Sequence, residues 1–232
     1  VIGVLNFLNF SIPGIFMLGG MLSCAPLAGM KFHWALAVAA ALAACVLASL
    51  LVERFTYRFM RNRFGDATEH ATPLVSSLGF LVLFHGLVII QFGTEMHYFP
   101  SPWSDPNIRM ADLVIGIPQL ASLFFSLALV SALSLLMTKT QLGRAIRAIA
   151  ESPDISTLLG IRVNRIVPAI FIITGLLTGM AGILFSLNYL QVSPRMGDEI
   201  ANMSISAMVL GGLGIVWGAV IGGLLLGLLE AL

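Results

Sequence analysis

The sequence predicts an all-α, polytopic helical membrane protein, and three observations carry that reading. Of 232 residues, 58% are hydrophobic and 10% are charged, whereas soluble domains carry about 25% charged residues to cover a water-facing surface. Six charge-free windows are long enough to cross a hydrocarbon core about 30 Å thick, which takes roughly 20 helical residues. They are Val1 to Met30, Phe32 to Val52, His70 to Thr94, Leu113 to Thr138, Ile166 to Pro194 and Ile200 to Leu229. None of them alternates apolar and polar residues as barrel strands do. The composition excludes a cytosolic globule and a disordered tail, and a net charge of +1 lacks the basic excess of a nucleic-acid binder. Cys24 and Cys45 sit in apolar stretches and offer neither a disulfide framework nor metal-ligand spacing. No metal and no cofactor is therefore expected.

Charge placement orients the windows. Arg54, Arg58, Arg61 and Arg63 fill one connecting loop, and Lys139, Arg144, Arg147, Arg162 and Arg165 fill another, together nine of the 12 basic residues. The Glu95 to Asp112 loop has three acids against Arg109, and the Arg195 to Glu199 loop is also net acidic. Basic loops stay cytoplasmic. Windows 32–52 and 113–138 therefore run inward, 70–94 and 166–194 run outward, and the last returns to the cytoplasm. Lys31 is the one mild exception. The chain opens at Val1 inside an apolar run and closes at Leu232 just after one, without a basic n-region or cleavage pattern of a signal peptide. It is expected to be a piece truncated at both ends.

Two windows do not read as plain helices. Asn6, Asn9, Ser11, Pro13 and Gly14 interrupt the first, and Gly211, Gly212 and Gly214 interrupt the last. Non-helical backbone at membrane depth is tolerated only beside protein or a water-filled cavity. A pair of Gly/Pro-interrupted segments, one in each half, points to a transport site. Asn6, Asn9, Ser11, Gly211, Gly212 and Gly214 are thus candidates for a translocation path, with kinks of purely packing role as the alternative. Small residues at Gly175, Gly179, Gly182 and Ser186, and at Gly214, Gly218 and Gly222, let helix backbones approach closely. They predict tight internal packing or a subunit interface.

The basic loop from Lys139 to Arg165 contains a helix bounded by its own sequence. Ser152 suits the cap, Pro153 the first helical position and Asp154 the positive end of the helix dipole. Gly160 suits a left-handed terminating residue. The spacing predicts a two-turn helix from Pro153 to Leu159 with Ile155, Leu158 and Leu159 on one face. That face either docks in a groove on a soluble partner or lies on the lipid interface.

Several runs carry a resemblance. Gly143-Arg144-Ala145 through Ala148-Ile149-Ala150-Glu151, then Leu158-Leu159-Gly160-Ile161 and Asn164-Arg165, are similar to the inner-membrane permeases of branched-chain amino acid ABC importers. So are Val209-Leu210-Gly211-Gly212-Leu213-Gly214, Gly218-Ala219 with Gly222-Gly223-Leu224, Gly227-Leu228-Leu229-Glu230, Glu53-Arg54 with Tyr57-Arg58 and Arg61, and Asn9-Phe10 with Met17-Leu18-Gly19. The resemblance implies one permease domain over residues 1–232. Its partners would be a second, homologous permease subunit, two cytoplasmic ATP-binding subunits and an extracytoplasmic substrate-binding protein. It also implies an ATPase-coupling helix at Glu151, Ser152, Pro153, Asp154, Ile155, Leu158, Leu159, Gly160 and Ile161. The chain departs from the family at Ile12-Pro13, where a His-Gly pair is usual, and at Ile215-Val216-Trp217, where a Pro commonly follows.

Enzymatic chemistry has little to stand on. His85 is the one imidazole well inside a window, and no catalytic partner appears at helical spacing from it. Glu53 and Glu230 are expected at the surface of cytoplasmic helix ends. Gly211 to Gly214 is no phosphate loop, since no Lys or Ser/Thr follows. The expected function is a multi-pass permease of the cell inner membrane moving branched-chain or related hydrophobic amino acids, with ATP hydrolysed elsewhere. A permease for urea or short amides, and an ion-coupled secondary transporter, are the alternatives.

Overall fold

The structure, a computed structural model, describes residues 9–29, 34–58, 71–99, 107–110, 113–212, 214 and 216–231. Asn6, Lys31, Arg61 and Arg63 lie outside the described residues. The helices are α1 (Ile12–Gly29), α2 (Trp34–Val52) with a π-helical continuation Glu53–Arg58, α3 (Ala71–Phe92), α4 (Ile117–Lys139), α5 (Gln141–Glu151), α6 (Pro153–Leu158), α7 (Val163–Tyr189), α8 (Met196–Gly211) and α9 (Val216–Ala231). Two small antiparallel ribbons join them. One pairs β1 (His97–Tyr98) with β4 (Gln191–Val192), and the other pairs β2 (Asn107–Met110) with β3 (Leu113–Gly116). The fold is an all-α polytopic one, as the composition requires.

Four helical stretches are long and apolar enough to cross a membrane: Trp34–Arg58, Pro73–Phe92, Pro118–Lys139 and Val163–Tyr189. The bent pair α8–α9 makes up to five. Three windows differ from their sequence reading. Leu113–Gly116 is a strand, and α4 starts only at Ile117, with a proline in its first turn where the missing N–H does no harm. The first window yields one helix from Ile12 that continues through Pro26 to Gly29. The last window is two 16-residue helices meeting at 118°, so it does not run straight through.

The core forms where α1 and α2 pack on α7. Ser49 and Cys45 of α2 lie against Gly175 and Gly179, whose absent Cβ atoms would come within 2.7 and 2.9 Å of them. On the other side a Cβ on Gly19 would come within 2.6 Å of the Gly179 carbonyl oxygen, and one on Gly182 would collide with the Phe16 carbonyl. Ser49 Oγ donates to the Phe171 carbonyl at 2.6 Å, and Ser186 Oγ donates to the Gly182 carbonyl at 2.8 Å. The stripe Gly175, Gly179, Gly182 and Ser186 is thus internal packing. Ile15, Met17, Met21, Cys45, Phe171 and Ile183 are buried around it. By contrast α4 presents Leu123 and Phe124 outward, as a helix facing lipid or another subunit would.

Glu53 is not at the surface as its position suggested. It is 6% exposed, and Thr56 is fully buried. The π-helical stretch carrying both residues continues α2 and packs against α3 and α7, which turns this face inward.

Candidate functional site

The start of α1 lies level with the middle of its neighbours. Cys45, near the centre of the Trp34–Arg58 span, directs its Sγ at the Ile15 carbonyl at 3.6 Å. Gly14 lies against Phe84 and Leu81, near the centre of the Pro73–Phe92 span. The start of α8 reaches the same level, since a Cβ on Gly197 would lie 2.5 Å from the Pro13 carbonyl. Two helices therefore begin at mid-span, where backbone groups without partners are costly.

Local side chains satisfy the first of these starts. Asn9 Oδ1 accepts from the Ser11 backbone N–H at 3.1 Å and from Ser11 Oγ at 2.7 Å, while the Phe10 N–H donates to Ser77 Oγ on α3 at 3.1 Å. Asn9 is nearly buried and Ser11 fully so. This is the side-chain turn that Asn forms readily, and it supplies the polar partners that lipid cannot.

Between this start and α8 lies an open cleft of about 180 Å³. Asn9, Phe10, Ile12, Pro13 and Phe16 form one wall, and Gly197, Ile200, Ala201, Ser204, Ile205 and Met208 form the other. The α8 residues follow at intervals of three and four, so one face of that helix is presented along its length. The wall is apolar apart from Asn9 and Ser204. Of the candidate path residues, Asn9 lines the cleft and Ser11 stands behind it. Gly211, Gly212 and Gly214 do not line it and form the elbow at the far end of α8. There Gly212 and Gly214 have φ of 93° and 90°, values that favour glycine. The elbow is tied to α4 by a hydrogen bond from Trp217 Nε1 to Ser134 Oγ at 3.1 Å.

One ionisable pair escaped the sequence reading. His85 Nδ1 of α3 lies 3.9 Å from Asp198 Oδ2 in the first turn of α8, with side chains 23% and 54% exposed. Asp198 reads in sequence as part of an acidic loop, and only the mid-span start of α8 brings it beside His85. No short-range signal links the two. Asn188, near the C-terminal end of α7, donates from Nδ2 to Ser122 Oγ of α4 at 2.8 Å.

The loop helix forms as its caps predict, one residue shorter. The Ser152 side chain accepts from the Ile155 N–H at 3.4 Å, and α6 ends at Leu158 with Leu159 as the terminal cap. Gly160 has φ of 81°. Its N–H reaches the Thr157 carbonyl and that of Ile161 the Ser156 carbonyl, both at 3.0 Å, which closes the helix in a Schellman motif. Ser156 is buried, whereas Ile155, Leu158 and Leu159 are 58%, 87% and 74% exposed. The side chains of Pro153 and Asp154 lie outside the described residues. Glu151, exposed, ends the amphipathic α5, whose Ile146 and Ile149 are buried while Arg144 and Arg147 face out.

Known proteins resemble this chain along its whole length. The high-affinity branched-chain amino acid transport system permease protein LivH of Salmonella typhimurium is 29% identical over 244 residues, covering 100% of this chain and 78% of LivH. The corresponding protein BraD of Pseudomonas aeruginosa is 27% identical over 243 residues, with the same two coverages, 100% and 78%. The D-allose transport system permease protein AlsC of Escherichia coli is 29% identical over 164 residues, covering 68% of this chain and 49% of AlsC. No solved structure matches. These relatives are permease components of transport systems rather than enzymes. Residues 1–232 match the family described as branched-chain amino acid transport system, permease component, and with its apolar helices and capped loop helix the chain belongs to that family.

Proposed function

We infer that the chain is the membrane-spanning permease subunit of an ABC importer, a single permease domain over residues 1–232. It carries branched-chain or related hydrophobic amino acids into the cytoplasm. Two separate cytoplasmic subunits hydrolyse ATP, a second homologous permease completes the membrane part, and an extracytoplasmic binding protein delivers the cargo. The seat is the cell inner membrane, with α6 on the cytoplasmic side.

The observation that carries this reading is the exposed face of α6. A helix this short is marginal alone, yet here both ends are closed by hydrogen bonds and the free side is apolar. Burying a leucine side chain contributes roughly 1.5–3 kcal/mol, so Leu158 and Leu159 are a strong reason for a soluble partner to bind. Replacing both by Asp is expected to abolish co-purification of the ATP-hydrolysing subunits while the protein remains membrane-inserted. Undiminished co-purification would count against α6 as the coupling element.

The cargo follows from the cleft. Its lining carries no formal charge, which suits a small solute whose charges cancel or are absent. Urea and short amides share that property, and ligand binding by the partner binding protein separates them from aliphatic amino acids. The alternative, a carrier working alone on an ion gradient, would need ionisable coupling groups at mid-span, and the His85–Asp198 pair is where such coupling would be sought. Uphill uptake by the purified chain in vesicles without nucleotide would establish it.

A further inference from the structure

Building on the transport reading above, the mid-span cleft raises the question of what it would hold. Its volume of about 180 Å³ is on the scale of one small solute. Phe10, Ile12, Phe16, Ile200, Ile205 and Met208 form an apolar wall that favours a branched aliphatic group. A charged head cannot rest against such a wall without a partner. One stands next to it, because Asp198 directly follows the lining residue Gly197, and Asp198 is paired with His85. Phe84, the neighbour of His85, rests on Gly14, beside the lining residue Pro13.

We propose that this cleft is a side-chain subsite for an aliphatic zwitterionic amino acid, and that the His85–Asp198 pair at its border receives the charged head. The ammonium faces the Asp198 carboxylate, and the carboxylate faces the His85 ring. Asn9, whose Oδ1 is already held by Ser11, lines the same cleft. Ser204 lines the cleft and both it and Asp198 are exposed, so a solute reaches them without moving the core.

The test uses the complete importer in proteoliposomes. Ser204→Cys is expected to react with a maleimide and to be protected by leucine better than by alanine. Ser204→Leu narrows the cleft by several carbons. It is expected to lower leucine uptake relative to alanine uptake by about tenfold or more, the discrimination that an apolar pocket gives for one or two methylenes. Asp198→Asn is expected to raise the KM for leucine and to shrink the preference for leucine over 4-methylpentanoate, which lacks the ammonium. The subsite is overturned if Ser204→Cys is unreactive in the assembled importer, as when a helix of the second permease fills the cleft. Reaction without leucine protection overturns it too, as does an unchanged leucine-to-alanine ratio in Ser204→Leu. Failure of the unmutated importer to take up any aliphatic amino acid instead overturns the transport reading beneath it.

Discussion

Two glycine-rich regions carry similar sequence patterns and come to different ends. On α7, Gly175, Gly179 and Gly182 are consumed on both sides: α2 packs on the first two, and α1 on the last two. On α8–α9, Gly211 meets the Gly218 carbonyl and Gly222 meets that of Ala207, so the contact lies within one hairpin. Gly223 and Gly227, which extend the same run, have open space around them. Small residues let backbones approach, but they do not specify which backbone. The α7 seam holds three long helices together, whereas the α8–α9 seam closes a fold-back and leaves one face of α9 bare.

This contrast can be broken most sharply at Gly182. A leucine there would collide with the Phe16 carbonyl inside the three-helix core, and overpacking costs about 1–3 kcal/mol, more where backbone must move. Thermal unfolding in detergent should show a large drop in Tm or no folded protein, and a native-like melting curve would refute the packing account. A smaller effect should separate Gly222 from Gly227. Gly222→Leu is expected to destabilise the hairpin and impair transport, while Gly227→Leu should leave Tm unchanged in the isolated chain. A fall in assembly with the second permease for Gly227→Leu alone would mark the bare face of α9 as an interface. The smallest effect is expected at the elbow. Gly212→Ala forces a side chain to adopt a φ of 93° with a ψ of 125°, a cost of roughly 1–3 kcal/mol. Protease sensitivity near the elbow should rise while the rest of the protein stays intact.

Legibility varied with the range of the physics involved. The ends of α6 were readable because Ser152 and Gly160 act on their own or adjacent turns, and the structure moved the helix end by only one residue. The break at Gly211–Gly214 was readable for the same reason, although the 118° angle was not, since packing of α9 back onto α8 sets it. Asn9 was singled out for its polarity in an apolar run, and it lines a cleft whose other wall comes from the far end of the chain. Asp198 was assigned to an acidic loop because nothing near it in sequence places it beside His85. Glu53 was read as a surface residue because a charge at a helix end normally is, and the packing of its π-helical turn reversed that.

Composition and window length were enough to make this chain a helical membrane protein, and the placement of arginines to predict its orientation, because each depends on transfer from water to lipid residue by residue. Its short-range hydrogen bonds likewise determined where α6 begins and ends. Only the tertiary structure decided that α1 and α8 start at mid-span, that they enclose a cleft, and that His85 and Asp198 meet. Those outcomes come from contacts between residues far apart along the chain, where the sequence sets which surfaces can approach and packing settles which ones do.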